Sequence, residues 1–381
     1  MADESDHQLI DELADEFLTK CLRGAEPDIE SYCAAYPWLA EEIRMLFPML
    51  QVLESNKDLR QSFSPPDTIG RFRIVREIGR GGMAVVYEAF DEREGSRVAL
   101  KFLLPDRDPG DAASIARFER EAKAVAKIEG PGVVRLIEFG NQDGLAYLAM
   151  QLIDGTSLDR VVRLLASANR SNPGQWMEPV MRHLNQRQTS FLRADYYAWV
   201  AHVGKRMANA LDHAHASDVL HRDVKPSNVL IDGEGEAWLT DFGLAKMGDA
   251  KLTRTGQIIG TLRYLAPERL HGECDARADI YGLGLVLYEL LAFRAAFVEV
   301  DRLKLIAAVE ASTPISPRQF VREVPPALER IVMRAIARLP SARYQSAKEM
   351  AEALDACNVN GLSFGDRPRL ASLRRWFRGL R

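Results

Sequence analysis

Cysteine is scarce in this chain. Only four occur in 381 residues, Cys21, Cys33, Cys274 and Cys357, and their scattered spacing fits neither a disulfide framework nor a zinc site. That pattern belongs with a reducing compartment. A strong charge of one sign is also missing: the net charge is -4, which argues against a dedicated nucleic-acid binder. The longest apolar run, Ile280 to Phe293, is interrupted by Glu289 and is too short to cross a bilayer, so it is expected to form a buried helix. The acidic opening MADESDHQ is not a secretory signal, and the expected location is cytoplasmic. With 47% hydrophobic and 27% charged residues, the composition is that of an ordinary folded protein long enough for two or three domains.

The chemistry is concentrated in His221 to Gly243, HRDVKPSNVLIDGEGEAWLTDFG. Val229–Ile231 and Ala237–Leu239 read as two short strands, with Asp232 to Gly235 as the turn of a hairpin. A hairpin returns the chain to its start, so Asn228 and Asp241 are expected to be neighbours at its open end. Two oxygen donors placed together suit a hard cation such as Mg²⁺. Asp223 and Lys225 lie just upstream, adding an acid and a cation.

HRDVKPSN followed by DFG resembles the catalytic and metal loops of protein kinases, most closely the bacterial eukaryotic-like Ser/Thr kinases. The resemblance runs from about residue 72 to 356 and carries several motifs in the family's order. It implies an α+β, two-lobed protein kinase-like fold with an antiparallel β-sheet lobe plus one helix (72–150), a hinge (151–155) and a mainly helical lobe (156–356). An all-α, acidic extension (1–64) precedes it and a basic amphipathic tail (357–381) follows.

The resemblance also implies roles. Asp223 orients the substrate hydroxyl, Lys225 neutralises the transferring phosphoryl group, and Asn228 and Asp241 hold Mg²⁺. Lysine two places after Asp223 is similar to the Ser/Thr class. The stretch Ile78, Gly79, Arg80, Gly81, Gly82, Met83, Ala84, Val85, Val86 covers ATP phosphates and base, with Ala84 where the family has its third glycine. Ala99 and Lys101 sit on one face of a strand, and Lys101 is expected to pair with Glu121 (Glu119 as the fallback) on a helix whose inward stripe is Ile115, Phe118, Ala122 and Val125. Met150 backs the adenine pocket, and Gln151 to Ile153 offer backbone hydrogen bonds before a turn at Asp154-Gly155. Thr253 and Thr255 are candidate phosphosites pairing with Arg222, and Thr261 contacts the catalytic Asp and Lys. Glu268 of the Ala266-Pro-Glu268 motif pairs with Arg343, and Asp279 braces the catalytic loop. His213, His215 and His221 lack zinc-ligand spacing, and His221 is expected to brace its loop.

Elsewhere the reading is less chemical. Leu9, Ile10, Leu13, Phe17 and Leu22, then Trp38, Leu39, Ile43, Leu46, Phe47, Leu50 and Leu53, indicate two or three short helices, with Pro48 dividing the second series. This extension is expected to pack as an appendage or to dock an adaptor. Leu158 to Arg193 reads as an inserted loop with a short helix near Met177–Leu184. The tail, with Leu370, Leu373, Trp376, Phe377 and Leu380 among arginines, is either a solvated end or a membrane-surface contact. The expected activity is transfer of the ATP γ-phosphoryl group to Ser/Thr hydroxyls of proteins, including the chain's own loop. The rivals are an ATP-binding scaffold without turnover and a small-molecule kinase.

Overall fold

The computed structural model describes residues 63–80, 84–103, 130–142, 144–167, 193–242, 261–299 and 301–357, together with parts of 13–48 and of 122–128. The chain divides into two compact units, the first built on residues up to Thr68 and the second beginning at Ile69.

In the first unit, Asp28 caps helix α1 (Ile29–Ala35) by accepting the Glu30 N–H at 3.2 Å, and a 3₁₀ turn follows at Pro37–Leu39. Leu13, Phe17, Tyr32, Cys33, Leu39, Ile43 and Phe47 make its core, with the Phe17 and Phe47 rings 4.5 Å apart. Helix α1 escapes a periodicity search because only Tyr32 and Cys33 of its seven residues are buried. Trp38 departs from the expected apolar stripe. It is 62% exposed and meets the Tyr36 ring edge-on, because the 3₁₀ turn rotates it away from the face that buries Leu39. Phe47 and Pro48 are both helical, and the division expected at Pro48 falls beyond the described residues.

From that boundary, which falls within β1, six strands follow in sequence: β1 (Thr68–Ile69), β2 (Phe72–Arg80), β3 (Ala84–Asp91), β4 (Ser96–Leu103), β5 (Leu136–Gln142) and β6 (Leu145–Gln151). They form one sheet in the order β1-β2-β3-β4-β6-β5. The pleat puts Val98, Leu100 and Phe102 into the core, so Ala99 and Lys101 take the opposite face. Register then places Val86 and Leu148 across from Lys101, and Met150 across from Ala99. Ala122 and Val125 are helical and buried.

The rest of the unit is mainly helical: α2 (Leu158–Ser167), α3 (Arg193–Ala216), α4 (Ala276–Ala292), α5 (Arg302–Ala311), α6 (Pro317–Phe320), α7 (Pro326–Ala335) and α8 (Ala347–Ala356). Helix α4 is the apolar run picked out in the sequence, buried along most of its length. A small sheet, β7 (Gly155–Ser157), β8 (Val229–Asp232) and β9 (Ala237–Leu239), lies among them. Among the described residues no helix is long and apolar enough to cross a membrane.

Two local readings are corrected. Leu158 to Ser167 is a helix rather than the start of a loop: Leu158, Val161, Val162 and Leu165 recur at i, i+3, i+4 and i+7, and all four are buried. The polar residues after it hid that stripe; the helix expected at Met177–Leu184 lies outside the described residues. Gly155 is not in a turn either. It opens β7 and pairs with Asp232, and a Cβ there would stand 2.0 Å from the Ile231 carbonyl oxygen. Backbone cannot yield as a side chain can, so Gly155→Ala should destabilise the chain by about 2 kcal/mol or more. A urea midpoint equal to wild type would show that β7 can pull away from β8.

Candidate active site

The hairpin β8–β9 carries the site. Val229 pairs with Leu239, and beyond that closing pair the Thr240 N–H donates to the Asn228 carbonyl at 3.0 Å. Asn228 is therefore held beside the residue that precedes Asp241. Its amide Nδ2 donates to the Asp223 carbonyl at 2.8 Å and to Asp223 Oδ2 at 3.3 Å. Lys225 Nζ donates to the same Oδ2 at 2.9 Å and to Thr261 Oγ1 at 3.2 Å. From the sheet, Lys101 Nζ reaches Asp241 Oδ1 at 2.6 Å. Lys101, Asp223, Lys225, Asn228, Asp241 and Thr261, scattered over 160 positions of sequence, thus share one bonded neighbourhood.

The backbone of this neighbourhood is strained. Arg222 has φ of 63° and Asp241 has φ of 61°, a left-handed conformation that costs about 1–2 kcal/mol for a residue with a Cβ. Asp279, buried on α4, offsets that cost at Arg222. Its Oδ2 accepts the His221 N–H and its Oδ1 the Arg222 N–H, each at 2.8 Å, and His215 Nε2 donates to Oδ2 at 2.8 Å. Burial alone would raise the Asp279 carboxyl, but these donors outweigh it and hold it below the usual carboxylate range. Arg269 donates to the Arg222 carbonyl from the other side. His215 and Arg269 were not foreseen in these roles: His215 lies six residues before His221 and Arg269 directly after Ala266-Pro-Glu268, and neither position signals the bond it makes.

His221 is fully buried. Its Nε2 donates to the Thr240 carbonyl at 2.9 Å, while Nδ1 accepts the Asp223 N–H at 3.2 Å. A carbonyl can only accept and an amide can only donate, so the ring is neutral with its proton on Nε2. Burial pushes its pKa below the usual 6.5, against the pull of Asp279. The ring also packs on Phe242, 4.7 Å between centroids, joining the HRD segment to the DFG segment.

Further out, Arg343 is 1% exposed, and its fork donates to both Glu268 oxygens at 2.7 Å. The remaining donors go to the Ala337, Arg277 and Arg338 carbonyls, and the guanidinium lies 4.6 Å from the centre of the Tyr281 ring.

On the sheet, Val86, Ala99, Lys101 and Met150 share one face. Ile78 is exposed, Gly79 pairs with Val86, and Arg80 pairs with Val85 while its side chain is held by Glu77. Ala84 opens β3, so the missing third glycine stands at a strand start. Gln151 closes β6, its N–H donating to the Arg135 carbonyl at 2.9 Å, and Ile153 follows in the open segment before β7. Gly81, Gly82, Met83, Glu119, Glu121, Thr253 and Thr255 lie outside the described residues, as does the expected Lys101–Glu121 pair. Among the described residues no cluster of three His, Cys, Asp or Glu forms a self-sufficient metal cage. An Asn and an Asp fit a cation that takes its other ligands from phosphate and water.

Residues 72–354 match the family model for the protein kinase domain. The chain belongs to the protein kinase family. It is similar to the serine/threonine-protein kinase PknD of Mycobacterium tuberculosis, 37% identical over 289 residues, and to the serine/threonine-protein kinase PrkC of Bacillus subtilis, 32% identical over 302. Those matches cover 74% and 77% of this chain but 39% and 42% of the relatives, so the chain spans about two fifths of their length. A crystal structure of the PknI kinase domain of M. tuberculosis is also similar, with a TM-score of 0.54 and 26% identity, covering 77% of this chain and 98% of that one.

Two expectations follow for this kinase domain. Removing Arg343 strands the Glu268 carboxylate in a mostly buried site, so Arg343→Met should cost about 3–5 kcal/mol; a change under 1 kcal/mol by urea unfolding, small for any buried pair, would contradict that. His221 is neutral when folded but takes up a proton below about 6.5 when unfolded. Its contribution is therefore fully present above that pH and is lost as the pH falls below it. Wild-type unfolding free energy should fall more steeply from pH 6.5 to 5 than that of His221→Asn, and parallel slopes would refute the assignment.

Proposed function

We propose that the chain transfers the γ-phosphoryl group of ATP to serine or threonine hydroxyls of proteins. The observation that carries this reading is the Lys225 ammonium shared between Asp223 and Thr261 at 2.9 and 3.2 Å. It leaves a carboxylate and a cation side by side where a hydroxyl nucleophile would enter.

In this reading Asp223 accepts or orients the proton of the incoming hydroxyl. Its backbone N–H is held by His221 and its carboxylate by Lys225 and Asn228, so the group is aimed before substrate arrives. Lys225 then offsets the charge that develops on the transferring group. Lys101, beside Asp241, would bind phosphate oxygens once nucleotide enters, with Glu121 as its steadying partner. Val86, Ala99 and Met150 would face the base, the backbone from Gln151 to Ile153 would hydrogen-bond it, and the Ile78–Val85 stretch would cover it. Asn228 and Asp241 would hold Mg²⁺, which when bound would supply neutralisation of phosphate charge. Glu268, Arg343 and Asp279 keep the frame.

Regulation is proposed through Thr253 or Thr255, whose phosphate would pair with Arg222, with Thr261 relaying the loop's position to Lys225. An adaptor on residues 1–64, membrane contact through 357–381 and a cytoplasmic location complete the reading.

Incubating the chain with ATP and Mg²⁺, with casein or myelin basic protein present, and mapping phosphosites tests this. Wild type should label the generic protein and its own Thr253 or Thr255. Asp223→Asn should lose about 10²–10⁴ in rate, the usual contribution of a positioned acid–base group. Self-labelling elsewhere would remove the Thr–Arg222 switch. Nucleotide binding without any transfer would favour an ATP-binding scaffold.

A further inference from the structure

Helix α3 bonds to the turn of the metal-bearing hairpin residue by residue, and nothing in the reaction scheme accounts for this. Trp199 Nε1 donates to the Gly235 carbonyl at 3.1 Å. His202 Nε2 lies 3.0 Å from Glu236 Oε2. Arg206 Nε donates to the Ala237 carbonyl at 2.8 Å, and its Nη1 lies 2.9 Å from the same Glu236 oxygen. The Arg206 guanidinium also sits 5.0 Å from the centre of the Trp238 ring. Positions 199, 202 and 206 form one stripe of a helix, and their partners advance in step from 235 to 238. Sliding the hairpin along α3 by one residue would break every bond in the set.

The turn is also tied from within. Asp232 Oδ1 accepts the Glu234 and Glu236 N–H groups at 2.8 and 3.0 Å, and its Oδ2 accepts Trp238 Nε1 at 2.8 Å. Trp238 packs against the cluster of Ala122, Val134, Leu148 and Met150, which joins a helical residue to strand β6. On its far side β9 bonds to the segment before β5: the Leu239 N–H donates to the Gly132 carbonyl at 2.6 Å and the Val134 N–H to the Leu239 carbonyl at 2.9 Å. Gly132 rests against Arg206 itself. A Cβ there would stand 3.2 Å from Arg206 Cγ, at a backbone φ of 88°.

Arg206 is thus where the hairpin turn, the Trp238 ring and the Gly132 segment meet, and Asp241 stands two residues past the strand they hold. We infer that Arg206, supported by Trp199, His202 and the Trp238–Asp232 bond, is a positioning residue that sets where Asp241 stands relative to Asn228, and so tunes affinity for the divalent cation. It touches neither substrate nor metal. Its requirement is a planar guanidinium: Nε bonds a carbonyl, Nη1 a carboxylate, and the group lies over indole, a set of directions that a compact ammonium cannot serve at once. The inference rests on Asn228 and Asp241 being the metal ligands.

The test uses the full chain at saturating ADP, which removes turnover from the readout, and follows the thermal midpoint as Mg²⁺ is titrated. In wild type Mg²⁺ should raise the midpoint saturably. In Arg206→Lys the Mg²⁺ concentration giving half the shift should rise by about fivefold or more, as expected when a group behind a metal ligand is lost. Trp238→Phe keeps an aromatic ring, though a smaller one, and drops the bond to Asp232; it should move the same concentration in the same direction, and it carries the test if Arg206→Lys does not fold. A purely structural brace would lower the Mg²⁺-free midpoint and leave the Mg²⁺ titration within about twofold of wild type, the usual scatter of such context-dependent effects, which would overturn the inference. Absence of a Mg²⁺-dependent shift in wild type would also overturn it, by removing the metal site it acts on. Failure of wild type to label casein would instead count against the proposed activity and would leave the ADP titration intact.

Discussion

The carboxylate of Asp279 is the constraint on which the active site depends. It lies near the start of a helix buried along most of its length, where an unpaired charge would be costly, and it accepts from two backbone N–H groups and one imidazole N–H. Those backbone groups belong to His221 and to left-handed Arg222, so one buried anion holds the peptide that leads into Asp223. His221 hands the constraint onward, because its ring bonds Asp223 on one side and Thr240 on the other. Asp223 and the segment leading to Asp241 are thereby referred to a single helix.

A second chain of constraint comes from behind the hairpin. Its open end presents Asn228 and Asp241, while its closed end is keyed to α3 through Trp199, His202 and Arg206. Two strands of four and three residues are too short to hold a geometry alone. The sheet bonds to β7, the Gly132 segment and the α3 stripe together supply what the hairpin lacks.

Much of this was legible in the residues. Alternation in Val98 to Phe102 put Lys101 on the face opposite the core, and the Asp232–Gly235 turn predicted that Asn228 and Asp241 would come together. Both signals are local, depending on a two-residue period and on turn chemistry that act within a dozen positions. The helix at Leu158–Ser167 was legible in principle, but its stripe was masked by the polar stretch after it. Gly155 looked like a turn because its real reason, close approach to Ile231, involves a strand more than seventy residues away.

By itself the sequence determined the order of the motifs and the two-lobed architecture those motifs imply, and it singled out Asp223, Lys101, Lys225, Asn228 and Asp241 as candidates. Tertiary structure alone decided which distant groups complete them: His215 on Asp279, Arg269 on the Arg222 carbonyl, Arg206 between Trp238 and Gly132, and Lys101 on Asp241. These partners obey no spacing rule. A hydrogen bond or a ring stack is specified by a few ångströms of space, and which residues share that space is settled only when the whole core has packed.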